Sequence, residues 1–223
     1  MNVTIIGASI SGLFSAYLLA KEGVEIEVYE RAKTLGWPRR TLIVTTKLNE
    51  VLDFVPEEAI LNEVRCLELF SCSRSVRLEL NSPDLVIERE KLLKLLARLA
   101  EGAGAKIKLN HQFMGFTQFG RKIVISFKNL ETGEDQSKST DILIGADGAL
   151  SSVAQVASQN GHYLTALLQA KVPLTEGLDS NTCKVWFDSN NTKYFYWFIP
   201  ESQETATIGL IADDDQQAKA ALR

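Results

Sequence analysis

The sequence is poor in the residues that build metal sites and disulfide frameworks. Its 223 residues hold three cysteines (Cys66, Cys72 and Cys183) and two histidines (His111 and His162). There is no CxxC pair, and the cysteines are too few and scattered for a disulfide scaffold or a zinc site. They read as free thiols in a reducing compartment, so the expected location is cytoplasmic. Basic residues are also short: 24 Lys and Arg against 28 Asp and Glu give a net charge of −4, which argues against nucleic acid as a partner. Apolar runs are broken well before the ~18 residues of a membrane helix, so no integral membrane segment is expected. The N-terminus enters Val3-Thr4-Ile5-Ile6 with no basic segment ahead of it, unlike a secretion signal. What remains, 45% hydrophobic and 23% charged residues, is the make-up of a soluble globular chain rather than a disordered one.

Local patterns then give an order of elements. Residues 2–6 read as a buried β-branched strand, Gly7-Ala8-Ser9-Ile10-Ser11-Gly12 as a tight turn, and Leu13 to Ala20 as a helix stopped by Gly23. Val24 to Glu30 alternates apolar and polar, completing a βαβ unit. Trp37-Pro38-Arg39-Arg40 reads as a loop, Thr41 to Thr46 as a short extended segment, and Glu63 to Leu80 as two β-like stretches. Leu92, Leu93, Leu95, Leu96 and Leu99 form one face of a helix over Glu88 to Gly102, with Lys91, Lys94, Arg98 and Glu101 opposite. Strands are expected at 106–109, 121–128 and 141–145, with a hairpin turn at 131–135. After Gly161 strand-like runs dominate, at 166–172, 182–187, 193–199 and 206–211.

The turn after the first strand carries chemistry. A nucleotide pyrophosphate needs close backbone approach and N–H donors at a helix start, and the Rossmann fingerprint supplies both with three glycines. Here the three positions are Gly7, Ser9 and Gly12. Ser9 departs from the pattern, and a positive φ there would be strained. Its hydroxyl, like that of Ser11, offers a donor to a phosphate. Glu30 ends the second strand, near the expected distance for a carboxylate holding a ribose, and would repel a 2′-phosphate. Glu30 and the adjoining Arg31 are therefore candidates at this site.

A second string, Gly145-Ala146-Asp147-Gly148-Ala149-Leu150-Ser151-Ser152-Val153, resembles the GADGxxSxV signature of flavoprotein monooxygenases and their reductase relatives, the para-hydroxybenzoate hydroxylase-like superfamily. The resemblance implies that the tightly held nucleotide is FAD, with its adenosine end on the N-terminal turn and Asp147 and Gly148 near the diphosphate. NAD(P)H would be a visiting reductant. The arginine that usually follows the valine is Ala154 here. Arg89, three residues before Leu92, matches the family's Arg-x-x-Leu entry, whose arginine contacts FAD. Phe113 stands where the family's strand touches adenine through its backbone. Phe195-Tyr196-Trp197-Phe198-Ile199-Pro200 with Thr207-Ile208-Gly209 is similar to the YxWxFP…VG element of geranylgeranyl reductases and to the WxWxIP element of flavin-dependent halogenases. It makes Trp197 a candidate for an apolar substrate wall.

The resemblance implies an α/β fold: a Rossmann-like FAD-binding domain from residues 1–48 and 82–158, and an antiparallel β-sheet substrate domain from 49–81 and 159–223. The family's later Gly-Asp motif is not matched, since Asp213-Asp214-Asp215 lacks the glycine. The chain therefore reads as an N-terminal part, truncated at its C-terminus, with self-association through an uncovered sheet as an expected consequence. The implied function is an FAD-dependent oxidoreductase acting on a small apolar substrate, isoprenoid-like or aromatic, by reductase or monooxygenase chemistry. A halogenase-like enzyme and a truncated non-catalytic nucleotide-binding protein are the alternatives, and an NAD-binding dehydrogenase is disfavoured by Asp147-Gly148. No catalytic acid, base or nucleophile is assigned.

Overall fold

The computed structural model describes residues 1–157, 164–175 and 177–221; Gly161 and His162 lie outside the described residues. The chain divides into two compact units, Met1–Pro38 with Glu90–His162, and Arg39–Arg89 with Tyr163–Arg223.

In chain order the elements begin with β1 (Asn2–Ile6), α1 (Ile10–Lys21), β2 (Glu25–Tyr29), β3 (Thr41–Thr45), α2 (Lys47–Leu52), β4 (Ile60–Ser71) and β5 (Arg74–Glu88). Next come α3 (Arg89–Gly102), β6 (Lys106–Lys108), β7 (His111–Phe119), β8 (Lys122–Asn129), β9 (Asp135–Thr140), β10 (Ile142–Gly145) and α4 (Ser152–Val156). The last are β11 (Ala166–Pro173), β12 (Thr182–Phe187), β13 (Tyr196–Pro200), β14 (Thr205–Ala212) and α5 (Asp215–Ala221). No helix among the described residues is long and apolar enough to cross a membrane.

The first unit is built on a parallel sheet in the order β10-β1-β2-β6. β1 is buried along Val3 to Ile6, which explains its unbroken apolar run. α1 buries Gly12, Leu13, Ala16 and Ala20, a narrow stripe of mostly small residues that lets the helix lie close to the strands. It stops where Gly23 takes a φ of +74° and donates to the Ala20 carbonyl. α3 buries Leu92, Leu93, Leu96, Ala97 and Ala100, while the expected face members Leu95 and Leu99 are only half-buried. The antiparallel sheet β7-β8-β9 adds Phe113, Ile125 and Phe127 to a core with Ile6 and Tyr29, whose ring stacks on Phe127 at 4.0 Å. β7 and β9 are absent from the sequence reading as full strands; their polar exposed faces (Gln112, Gln118, Ser137, Ser139) hide the alternation.

The second unit is a seven-stranded sheet, β11-β14-β13-β12-β4-β5-β3, antiparallel except for the β12–β4 pair. Its core on one face is Val64, Val86, Cys183, Trp197 and Ile199, and on another Leu210 and Ala212 under Ala218 of α5. The two units divide at points other than the expected 48/49 and 81/82. β3 pairs with β5 along Thr41↔Glu88 to Thr45↔Asp84, so residues 41–45 and 84–88 sit in the second unit's sheet. The crossings fall at Pro38/Arg39 and Arg89/Glu90 because strand pairing, not composition, decides which unit a segment joins.

Candidate functional site

The N-terminal turn is shaped by contacts that leave no room for side chains. Gly7 has a φ of +100°, and a Cβ there would stand 2.4 Å from the Ala146 carbonyl oxygen. A Cβ on Gly12 would stand 2.1 Å from the Gly7 carbonyl oxygen and 3.1 Å from Ala146 Cβ. The two glycines are thus required by each other and by the second motif, which passes directly beside them. Ala146 N–H donates to the Ile6 carbonyl at 2.7 Å, extending the β1–β10 pairing into the turn. The strings Gly7–Gly12 and Gly145–Gly148, distant in sequence, form one structure.

Ser9 occupies the middle glycine position without strain, because the backbone there does not take the positive φ that would have strained it. Its φ is −77° and ψ 173°, and it is the N-cap of α1. Its hydroxyl accepts from Gly12 N–H at 3.1 Å and lies 2.9 Å from Ser11 Oγ. A capping serine costs nothing at this backbone geometry and satisfies one helix donor. The amides of Ile10 and Ser11 have no intrahelical acceptor, and the first turn carries no acid to offset the helix dipole. The start of α1 therefore offers unpaired amides and the positive end of the helix dipole, a setting chemically suited to an anion and bounded by glycines that leave room for close approach.

Glu30 closes the other side of the turn. Its Oε2 accepts from Ala8 N–H at 2.9 Å and its Oε1 from Ala32 N–H at 2.8 Å. Each oxygen retains a second lone pair for a hydroxyl. Arg31 is exposed. Asp147 is fixed with equal definition: Oδ1 accepts from Ser151 Oγ at 2.6 Å, and Oδ2 from the N–H groups of Ser152 (2.7 Å) and Val153 (3.2 Å). Ser151 in turn caps α4, accepting from Ala154 N–H at 2.9 Å. A Cβ on Gly145 would stand 3.0 Å from Val153 Cγ1, which accounts for the glycine opposite this valine in the motif. Gly148, at φ +85°, has open space around it.

Other candidates have different settings. The Phe113 side chain is 7% exposed in the first unit's core, and its strand is bulged immediately after it, between Phe113 and Gly115. Arg89 starts α3 and its N–H donates to the Arg40 carbonyl at 3.0 Å, anchoring the helix start to the loop before β3.

Trp197 belongs to the second unit. Its ring is 6% exposed and lies so close over Gly209, its partner across β13–β14, that a Cβ on Gly209 would be 2.3 Å from Cζ2. The tryptophan and glycine of that sequence element are thus a packing pair. The indole Nε1 is buried without a hydrogen-bond partner. Phe195 meets the indole edge-on at 6.1 Å. Trp197 and Gly209 also line a cavity of 770 Å³, together with Phe70, Trp186, Tyr196 and Ala221 of α5.

A cluster that sequence reasoning missed surrounds Glu201. This carboxylate is 5% exposed. Its Oε1 accepts from the hydroxyls of Thr41 and of Thr207 (2.5 Å to the latter), and its Oε2 meets Lys171 Nζ at 2.8 Å. Burial raises its pKa, but the Lys171 ammonium and the Thr207 and Thr41 hydroxyls outweigh that and hold it below the usual range. Gln169 donates to the Thr41 carbonyl at 3.1 Å, so side chains join β11 and β3, the first and last strands of the seven-stranded sheet. The available signal was the two-residue series Phe195, Trp197, Ile199, Glu201, which continues one sheet face past the end of β13. Among the described residues no cluster of His, Cys, Asp and Glu could hold a metal ion.

Comparison with known proteins places this geometry. A family model described as "FAD binding domain" matches residues 1–221. The digeranylgeranylglycerophospholipid reductase of Methanocaldococcus jannaschii is 26% identical over 97% of this chain and 56% of its own length. The structure of a geranylgeranyl bacteriochlorophyll reductase-like protein from Thermoplasma acidophilum superposes with a TM-score of 0.87 at 22% identity, covering 99% of this chain and 60% of that one. A probable FAD-dependent monooxygenase from Pseudomonas aeruginosa superposes at 0.75 and 16% identity, over 99% of this chain and 62% of the other. The chain thus spans little more than half the length of the curated relative it matches.

Proposed function

The chain belongs to the FAD-binding domain family, and on that premise we propose that it is the FAD-holding part of an oxidoreductase that reduces an isoprenoid-type substrate. The observation that carries the reading is the interlock of Gly7 and Gly12 with Ala146 and Asp147, which builds an anion cradle at the start of α1. The residues fit the cofactor: the Ile10 and Ser11 amides receive the diphosphate, and the Ser9 and Ser11 hydroxyls add donors. Glu30 accepts from the adenosine ribose with its remaining lone pairs while holding Ala8 and Ala32. FAD, when bound, supplies two-electron redox chemistry, and the protein supplies position, shielding and electrostatics. NAD(P)H or another reductant delivers the electrons.

The substrate class is supported by two matters. Two of the relatives described above carry geranylgeranyl groups in their names, and the second unit lines a cavity of 770 Å³ with Phe70, Trp186, Tyr196 and Trp197. Such a lining shields a long apolar chain from water. The monooxygenase reading shares the fold but has no hydroxylation-specific residue in its favour here.

Reconstitution tests the proposal. The purified protein titrated with FAD should quench flavin fluorescence to a saturating, stoichiometric end point. Anaerobic addition of NADPH or dithionite should bleach the bound flavin, and a geranylgeranyl-bearing lipid should restore its colour. A protein that binds NAD but no FAD would overturn the assignment. A reduced flavin reoxidised by oxygen but not by the lipid would favour the monooxygenase reading.

A further inference from the structure

The longest strand of the second unit has an open side. β5 pairs with β4 from Ser71↔Arg74 to Cys66↔Glu79, and again from Val64↔Asp84 to Ile60↔Ile87. β3 covers its far side only from Asp84 to Glu88, so from Arg74 to Pro83 no strand among the described residues lies there. The division has a local cause. Residues 80–83 of β5 stand opposite Arg65 alone, a bulge of the kind that bends a strand and ends its pairing, and Pro83 lacks an N–H. Between Arg74 and Leu80 there is neither proline nor lysine to blunt the edge. Alternate residues of an antiparallel strand turn both N–H and C=O away from its partner, so this stretch presents an unpaired row of donors and acceptors. Val76 and Leu78, 49% and 43% exposed, stand along it on the face they share with their cross-strand partners Leu69 and Leu67.

The side chains along the edge select its occupant. Two copies paired antiparallel through β5 are related by a two-fold axis normal to the sheet, which keeps each face on its own side. With the axis at Leu78, Arg77 faces the partner's Glu79, Glu79 faces the partner's Arg77, and Val76 faces the partner's Leu80. Moving the axis by one residue sets Arg77 against the partner's Arg77, or Glu79 against the partner's Glu79, and like charges directly opposed are destabilising. A move of two residues toward the hairpin turn sets Leu78 against the partner's Arg74. Arg77 is held at the surface by bonds to Glu68 Oε1 at 2.9 Å and Cys66 Sγ at 3.1 Å, and its five donors are more than these contacts use. We propose that this chain forms a two-fold dimer through β5 with the register centred on Leu78, joining two seven-stranded sheets into one. The pairing covers Val76 and Leu78 and uses the open segment of both copies, so it closes at two. The interface is independent of the flavin and substrate readings above.

Sedimentation velocity of the whole chain over a range of concentrations should show a reversible monomer–dimer equilibrium. Glu79→Arg makes both cross-axis charge pairs repulsive and leaves the partners of Arg77 within its own chain in place. It should raise the dimer dissociation constant at least about tenfold. Cysteine cross-linking reads the register, in a background where the exposed Cys72 is replaced by Asn, a residue that tolerates its φ of 51°. In Leu78→Cys the new thiol lies on the axis and faces its own copy, so mild oxidation should give a disulfide-linked dimer on a non-reducing gel. In Val76→Cys the two thiols stand about 13 Å apart along the strands, too far for a disulfide, and should stay unlinked. A wild-type chain that is monomeric at every concentration would overturn the proposal. So would an unchanged dissociation constant in Glu79→Arg, which would place the interface elsewhere. Equal cross-linking of Leu78→Cys and Val76→Cys would also overturn it, because chance collision does not distinguish the two positions and a two-fold at Leu78 does.

Discussion

Both units contain a glycine on which no side chain can be built, yet what lies opposite differs. Gly7 in the first unit faces main chain: the Ala146 carbonyl and Asp147 Cα, at 2.4 and 2.7 Å from a hypothetical Cβ. Gly209 in the second faces the Trp197 ring at 2.3 Å and the Leu168 carbonyl at 2.5 Å. A side chain can change rotamer or be trimmed; main chain inside a paired sheet cannot move without breaking the pairing. The cofactor cradle is therefore fixed by backbone geometry, whereas the apolar wall is fixed in part by the size of one indole. The glycine turn of the first unit and the apolar packing of the second therefore tolerate substitution to different degrees.

The largest expected effect is that of Gly7→Ala. It meets both the positive φ and the clash with Ala146, and should destabilise the first unit by more than about 4 kcal/mol and abolish FAD binding. Gly148→Ala is the matched control. Its φ of +85° is also strained, but nothing lies within 4 Å, so the expected loss is only about 1–2 kcal/mol. Urea unfolding of the two variants measures both. Equal losses would mean that conformational strain alone, and not the interlock of the two motifs, sets the cradle.

Gly209→Ala comes next, at about 3 kcal/mol, the upper range for overpacking a core. Trp197→Phe in the same background should recover part of the loss, because the atoms in collision belong to the larger ring of the indole. Recovery will be incomplete, since the Leu168 carbonyl remains. A double variant no more stable than Gly209→Ala would show that the strand spacing, not the indole, is the obstacle.

The two units also each bury a glutamate on a sheet, and this pair shows what could be read beforehand. Glu27 lies in β2, 7% exposed, bonded by Tyr29 OH (2.7 Å), Lys138 Nζ (2.5 Å) and Lys108 Nζ (3.3 Å). Burial opposes its ionisation, but the hydrogen bonds from Lys138 and Tyr29 dominate and bring its pKa down to about 2. The alternation that correctly predicted β2 assigns Glu27 to a polar face; it contains no hint that β9 supplies Lys138 to cover it. Glu201 was missed similarly, because Thr41, Lys171 and Thr207 meet only after β3 and β11 are brought together. By contrast, the glycine turn, the Asp147 turn and the βαβ order were legible, because local backbone demands leave their mark within a few consecutive residues. The unit boundaries were not, since the pairing of β3 with β5 is a long-range choice that composition does not encode.

A depressed carboxylate pKa adds stability that is complete above pH 4.5 and is lost as pH falls toward about 2. Glu27→Gln should therefore destabilise the protein at pH 7 by about 2 kcal/mol, less than the full cost of breaking a buried pair because both lysines reach solvent. It should also flatten the fall of stability between pH 4.5 and 2. Denaturant midpoints of wild type and variant across that range give the answer. Parallel pH curves would show that Glu27 does not carry the acid sensitivity.

The smallest effect is a change in thiol reactivity, and it reports on the fit of Trp197 against Gly209 directly. Cys72 is exposed, while Cys183 is 3% exposed within the cluster of Val64, Trp197 and Ile199. Burial, with a smaller contribution from Asp84, pushes the Cys183 thiol up to about 12, so at pH 8 it is almost wholly protonated as well as shielded. The thiolate is the reactive species. A disulfide reagent at pH 8 should therefore label Cys72 within the first fast phase and leave Cys183 unmodified until denaturant is added. In Gly209→Ala, where the indole is displaced, Cys183 should become reactive under native conditions, and Trp197→Phe should slow it again. In Gly148→Ala, whose strain lies in the first unit, Cys183 should remain protected. Labelling of Cys183 at the same slow rate in all variants would show that its access depends on global unfolding and not on the fit between Trp197 and Gly209.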